Sequence, residues 1–271
     1  MTKYDPWDVH KSRTSDFLDR RKSAIQIKIP QAAKDGAFGI VFIGDVHIDS
    51  VGCNIAMAEE HAKRIKSAKG VYAVLTGDVN DLSRLKSFGF HSDQPAISES
   101  LDILKSYLSK FGGKILAIHS GNHDEWARTV SGIDLMKKFV GDSIPYSSHR
   151  ALLDIKSGEW KFRVFTTHQT KYGSGANPLL GPLTALKTCN DIPADVDVIC
   201  VSHRHTKFAG QMSWKGRGRA FITPGTYKES DDLFDRECMN KDLGPVGAIF
   251  YPNGTVEAIF EVENIFRAFG A

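Results

Sequence analysis

Asp45 and His47 stand two residues apart at the end of an apolar run, in FGIVFIGDVHID over residues 38–49. In extended chain, residues two apart point the same way, and both types are good ligands for a divalent metal. An apolar run of strand type followed by metal-capable side chains recurs four more times. Val71–Thr76 delivers Gly77, Asp78, Val79, Asn80 and Asp81. Residues 114–119 deliver Gly121, Asn122, His123 and Asp124, and residues 161–166 run into His168. Residues 196–201 end in Ser202, His203, Arg204 and His205. Oxygen ligands mixed with imidazoles suit manganese, iron, zinc or a similar first-row ion. The ligands are too many for one ion and suit two, about 3.5–4 Å apart and sharing a carboxylate.

The elements that must carry these ligands are also legible. Ile40, Val41, Phe42 and Ile43 form an unbroken apolar run that predicts a strand buried on both faces. Ile55, Ala58, Ala62 and Ile65 recur at helical spacing over residues 54–69, and Ile97, Leu101, Leu104 and Leu108 mark a second helix. A third runs through Leu135, Met136 and Phe139. Strand, helix, strand, helix, strand predicts a largely parallel first sheet. In the second half, residues 151–155 and 161–166 read as a hairpin about Ser157 and Gly158, followed by a glycine- and proline-rich loop over 169–182. A short helix from Leu183 precedes the strand at 196–201. Residues 208–214 and 219–223 form a hairpin with a basic tip at Lys215, Arg217 and Arg219. Residues 228–245 are charged and irregular, and 246–251 with 256–262 make a closing hairpin. Two mixed sheets face to face with helices outside, an α/β fold, accommodate this order.

Residues 1–36 are polar and mixed in charge, and read as an N-terminal extension at the surface rather than a basic arm on phosphates. The remainder, 37–271, forms one domain. The chain has 271 residues, 41% of them hydrophobic, enough for one large core. A net charge of +3 permits an anionic substrate without demanding nucleic acid. Cys53, Cys189, Cys200 and Cys238 lack C-x-x-C spacing and read as free thiols of a reducing compartment. No apolar run approaches the roughly 20 residues of a membrane span, and no signal peptide is expected. The expected location is the cytoplasm, with no membrane partner.

GDVH, GDVND, GNHD, THQ and SHRH, in that order, resemble the five ordered motifs of the calcineurin-like metallophosphoesterases. The resemblance covers roughly residues 38–225. It implies a four-layer α/β/β/α sandwich and two divalent ions, manganese first, with iron, zinc, nickel or magnesium as alternatives. By that resemblance Asp45, His47, Asp78 and His205 hold one ion. Asp78 bridges to the second, held also by Asn122, His168 and His203. His123 sits beside the ions as the catalytic residue, protonating the leaving group or holding a phosphate oxygen. Thr167 and Ser202 replace glycines that often precede the fourth and fifth histidines, which bears on local loop geometry alone.

Other residues have weaker assignments. Asp81 either orients a ligand or caps the next turn, and Asp49 and Asp124 read as supporting residues. His91 and His119 are not expected to be ligands. Arg204 is expected to point away from the ions by alternation. Lys171, Tyr172 and Lys207 either hold a substrate phosphate or are solvated. The resemblance lacks the arginine that follows the second motif in protein phosphatases, since Leu82 follows Asp81, and it has the His203 and His205 pair. It therefore implies a phosphodiesterase acting on nucleic acid or nucleotides, with DNA or RNA among the partners. A phosphomonoesterase or protein phosphatase is one alternative. A non-catalytic, metal-containing nucleic-acid-binding module is another.

Overall fold

Side chains along the buried strands alternate between two environments, and the alternation builds apolar layers. In β2 (Phe38–Ile43), Phe38, Ile40 and Phe42 enter one core while Val41 and Ile43 enter another. β3 (Val71–Thr76) divides likewise, Tyr72 and Val74 on one side and Val71, Ala73 and Leu75 on the other. An unbroken apolar run is what a strand covered on both faces requires. This computed structural model describes residues 5–8, 10, 11, 14, 24–29, 36–82, 95–170, 177–230 and 241–271.

Two mixed sheets of six strands face each other. In the first, β2, β3, β4 (Ile115–His119) and the short β5 (Tyr146–Ser147) are parallel. β11 (Val246–Phe250) and β12 (Val256–Ile259) extend it antiparallel beyond β2. The second sheet runs β1 (Ile25–Lys28), β6 (Arg150–Ser157), β7 (Trp160–Thr167), β8 (Val198–Val201), β10 (Arg217–Thr223) and β9 (Phe208–Trp214). Here β7, β8 and β10 are parallel neighbours. Between the sheets Phe38 and Phe250 stack with ring centroids 4.7 Å apart, and Phe162 meets both edge-on.

Helices cover the outer faces. Asn54 starts α1 (Ile55–Ser67) by accepting a hydrogen bond from the Met57 amide at 2.9 Å. Ala58, Ala62 and Ile65 of α1, Leu104 and Tyr107 of α2 (Ile97–Ser109), and Ile265 and Phe266 of α6 (Val262–Ala268) pack on the first sheet. Ala185 of α5 (Leu180–Thr188) joins Phe165, Ile199 and Phe221 on the second. These are the layers of the predicted α/β/β/α sandwich. Among the described residues, no helix is long and apolar enough to cross a membrane.

Four elements escape the sequence reading. Within the segment taken as an extension, Ile25–Lys28 pairs in parallel with β6, and Ile27 and Ile29 enter the core between the sheets. β5 is two residues long, too short to show a period. α3 (Asn122–Ser131) begins on the ligand loop itself and buries only Asp124 and Ala127, so it carries no apolar stripe. The chain does not close as a hairpin through residue 262: Val262, Ile265 and Phe266 are one face of α6. α4 (Leu135–Val140) lies where Leu135, Met136 and Phe139 place it.

The carboxyl ends of the sheets meet at one point. The Thr76 hydroxyl, ending β3, donates to the Ile43 carbonyl at 3.2 Å and accepts from the Ser202 hydroxyl at 2.5 Å. Every ligand loop of the five motifs opens at this junction.

Candidate metal centre

The loops that leave these strands turn at once into an unusual backbone. Asp45, His47, Asp78, His203 and His205 have φ of 52°, 49°, 50°, 72° and 56°. For non-glycine residues the left-handed region costs about 1–3 kcal/mol each and persists where surrounding structure imposes it. What imposes it here is a ladder between loops. The amides of Asp45, His47 and Ile48 donate to the carbonyls of Gly77, Asp78 and Val79 at 3.1, 3.1 and 2.9 Å. Asp45 and His47 therefore converge through left-handed turns and not through extended chain. The alternation expected to turn Arg204 away likewise does not apply between His203 and His205.

Two glycines make the convergence possible. Gly77 has φ 90°, and a Cβ there would stand 2.6 Å from Nδ1 of His168. A Cβ on Gly121 would stand 2.0 Å from Oδ1 of Asp78. Thr167 and Ser202, in contrast, have no positive φ, so neither position requires glycine.

All seven expected ligands come together. Three sets of side chains have donor atoms within 4.8 Å of one another: Asp45, Asp78, His168 and His203; Asp45, His47 and His205; and His47, Asp78 and His123. Asn122 joins the first set, its Oδ1 lying 3.0 Å from Nε2 of His168. Asp45 and Asp78 each belong to two sets, so both are placed to bridge, where the resemblance named Asp78 alone. His123, expected outside the ligands, falls within reach of an ion.

The donor atoms are aimed at a missing partner. Oδ1 of Asp45 lies 3.2 Å from Nε2 of His205 but is not aligned with it as a hydrogen bond, and it is buried with no hydrogen-bond partner. Nε2 of His47 is buried in the same condition. Lone pairs that converge without bonding one another fit a divalent cation. The remaining atoms are held from behind. Nδ1 of His168 donates to the Thr76 carbonyl at 3.0 Å, which leaves Nε2 to face Asp78 at 3.0 Å.

Electrostatics point the same way. Burial opposes ionisation of Asp78, yet the imidazoles of His168 and His123 hold its carboxyl well below the usual range. Burial also works against a charged His168, but the Asp78 and Asp45 carboxylates carry it up to about 10. His203 falls to about 4 through burial and the neighbouring His168. Burial and the charge of Asp78 push Asp124 up to about 7. With no cation, imidazole protons balance the buried carboxylates; a bound ion displaces them.

Asp81 faces two imidazoles of the cluster. Its Oδ1 lies 3.1 Å from Nδ1 of both His47 and His123, and Nδ1 of His123 also donates to the Asp81 carbonyl. Asp49 supports it by accepting from the Asp81 amide at 2.5 Å. Asp124 accepts from the Gly121 amide at 2.8 Å, fixing the start of α3. His119 is buried with Nδ1 on the Ser120 carbonyl and belongs to none of the sets, as expected. His91, Lys171 and Tyr172 lie outside the described residues. The sequence reading missed Lys228, which reaches Asp81 from a stretch taken as irregular, and Trp126, whose ring lies 4.0 Å from that of His123. Trp126 follows His123 by three residues, a helical spacing that signals contact only once α3 is known.

Lys207 and the two arginines of the basic tip have partners within the fold. Lys207 is engaged elsewhere, with Nζ 3.6 Å from Glu261 and 4.6 Å above the Phe260 ring. At the tip Lys215 is exposed, while the two arginines are paired. Arg219 is 5% exposed and donates to the carbonyls of Val196, Trp214 and Ala194 at 3.2, 2.6 and 2.6 Å. Arg217 pairs with Asp197 at 2.6 Å. The turn also lies at the wrong end. β10 is seven residues long and pairs in parallel with β8 through Ala220, Phe221 and Ile222, so its turn end is roughly 20 Å from the carboxyl end at about 3.3 Å per residue.

A model of the calcineurin-like phosphoesterases matches residues 38–207. No curated protein matches the chain. Among solved structures, sulfate thiohydrolase SoxB of Thermus thermophilus in complex with glycerol is similar at 10% identity and a TM-score of 0.40. That alignment covers 85% of this chain and 59% of SoxB, so the chain spans less than two thirds of that protein. The family match runs from β2 through all five ligand loops, and on it the chain belongs to the calcineurin-like phosphoesterases.

Proposed function

We propose that this hydrolase cleaves phosphodiesters with two divalent ions, manganese first, and that His123 is its catalytic residue. The observation that carries the reading is the convergence of Asp45, His47, Asp78, Asn122, His168, His203 and His205, with Oδ1 of Asp45 and Nε2 of His47 buried and without a hydrogen-bond partner. Asp45, His47, Asp78 and His205 hold one ion; Asp78, Asn122, His168 and His203 hold the other. Bound there, the ions supply Lewis acidity toward the phosphoryl oxygens and acidify a water toward hydroxide near neutral pH. The chain supplies the proton. With Nδ1 of His123 tied to Asp81, its Nε2, 3.8 Å from Asp78, faces the ligand cluster and can donate to the leaving oxygen.

Leu82 in place of an arginine after Asp81, with the His203 and His205 pair, supports the diester preference. Nucleic acid or nucleotides remain the proposed substrates, but such a substrate must be held by the surface around the centre and not by the β9–β10 turn. Cys53, Cys189 and Cys200 are free, which supports a cytoplasmic setting.

The test is a panel of chromogenic mono- and diesters with single- and double-stranded DNA, assayed with added Mn²⁺. Faster turnover of diesters, abolished by chelation, is expected. A preference for monoesters sinks the diesterase reading. Tight metal binding without turnover of any ester makes the chain a binding module.

A further inference from the structure

Lys228 lies beyond residues 38–207, which carry the family match, and follows no ligand motif. Its side chain nonetheless reaches the centre. Lys228 is 5% exposed, and Nζ stands 3.4 Å from each carboxylate oxygen of Asp81, 147 residues away in sequence. A buried ammonium is costly unless it is paired. The carboxylate that pairs it is the one whose Oδ1 also faces Nδ1 of His47 and of His123.

The backbone around Lys228 is tied to the same centre. The Thr226 hydroxyl and the Tyr227 amide donate to the Asp45 carbonyl at 2.7 and 3.2 Å. The Lys228 amide donates to the Thr226 hydroxyl at 3.0 Å, and the strand bridge between Cys53 and Lys228 anchors the far side. Residues 226–228 thus grip the Asp45 carbonyl through the Thr226 hydroxyl and the Tyr227 amide, and Asp81 through the Lys228 side chain.

We propose that Lys228 is a positioning residue for hydrolysis: its ammonium clamps the Asp81 carboxylate so that one oxygen serves His47 and His123 together. The inference rests on the hydrolase reading above. A carboxylate shared by two imidazoles can rotate toward either one. Nζ, 3.4 Å from both carboxylate oxygens, fixes the group with Oδ1 3.1 Å from both Nδ1 atoms, which directs Nε2 of His47 to an ion and Nε2 of His123 to the leaving oxygen.

The experiment compares Lys228→Met with Lys228→Arg in the manganese-loaded protein. Two substrates are used, bis(p-nitrophenyl) phosphate with an activated leaving group and an alkyl nucleotide diester without one. Lys228→Met is expected to lower kcat on the alkyl diester about 10- to 100-fold with KM unchanged, since partners behind metal ligands commonly matter by that factor. The loss on the activated ester is expected to be smaller, and Lys228→Arg to restore most of it. A second readout needs no turnover: the Nδ1–H signals of His47 and His123 in nitrogen-15 spectra of the zinc-loaded protein. They are expected to move in Lys228→Met and stay in Lys228→Arg. Should Lys228→Met not fold, Lys228→Gln takes its place with the same expectations. Wild-type kcat with unmoved signals overturns the clamp, as does an equal loss on both esters that arginine does not rescue. A wild-type protein inactive on both diesters counts against the hydrolase reading alone, and the imidazole signals then decide the clamp.

Discussion

Arg219, near the turn end of β10, and Asp45, beyond the carboxyl end of β2, are both buried polar side chains. The fold treats them differently. Arg219 meets three carbonyls, so each of its three nitrogens donates a hydrogen bond. Asp45 has one oxygen with no hydrogen-bond partner, and its backbone is held at φ 52°. Beside the β9–β10 turn, the charges of Arg217 and Arg219 are used in tying the hairpin to residues 194–197. At the strand ends, strain and unbonded lone pairs persist together, and both are explained by an ion the fold is built to hold. Dense charge in sequence is thus a poor guide to a binding surface; the state of each donor and acceptor separates the two regions.

The largest expected difference between them is in metal dependence. Chelation, or Asp78→Ala, is expected to bring activity to background, and the variant to lose occupancy at both ions together because Asp78 belongs to two ligand sets. Metal analysis checks this, and a wild-type complement in Asp78→Ala would leave Asp45 as the bridge. Next comes His123→Ala, expected to lose about 10²–10⁴ in kcat on an unactivated diester and less on an activated one. It is expected to retain both ions. Loss of metal would instead make His123 a ligand of the set it shares with His47 and Asp78.

At the other region, Arg219→Met is expected to cost about 2–3 kcal/mol in urea unfolding, because it removes three hydrogen bonds and strands the buried Val196 carbonyl. Its kcat is expected to stay at the wild-type value. A drop in kcat without a drop in stability would reverse the comparison. The smallest effect is expected from Lys215→Ala combined with Arg217→Ala. Turnover and the salt dependence of nucleic-acid binding should both be unchanged. A salt slope flattened by roughly one unit per lost contact would restore the turn as a phosphate surface.

Much of this site is legible in the chain because its grammar is local. An apolar run followed within three residues by ligands fixes both the strand and what it delivers, as with Val71–Thr76 and Asp78. The helix of Ile55–Ser67 is equally plain, since its stripe and its Asn54 cap lie within one segment. α3 was hidden for the opposite reason: packed beside the ligand loops, it buries too little to show a period. Ile25–Lys28 had the alternation of a strand, but a four-residue edge strand in polar surroundings is a faint pattern.

By itself the sequence determined most of the strands, the residues expected as ligands and the family. Those depend on side-chain type and on neighbours a few residues away. Only the tertiary structure decided that Asp45 and His47 converge through left-handed turns, because the ladder to Gly77 and Asp78 joins two separate loops. It alone paired Lys228 with Asp81 across 147 residues. It alone showed that Arg219 is occupied, because its partners are backbone carbonyls, which every residue carries and no sequence pattern marks.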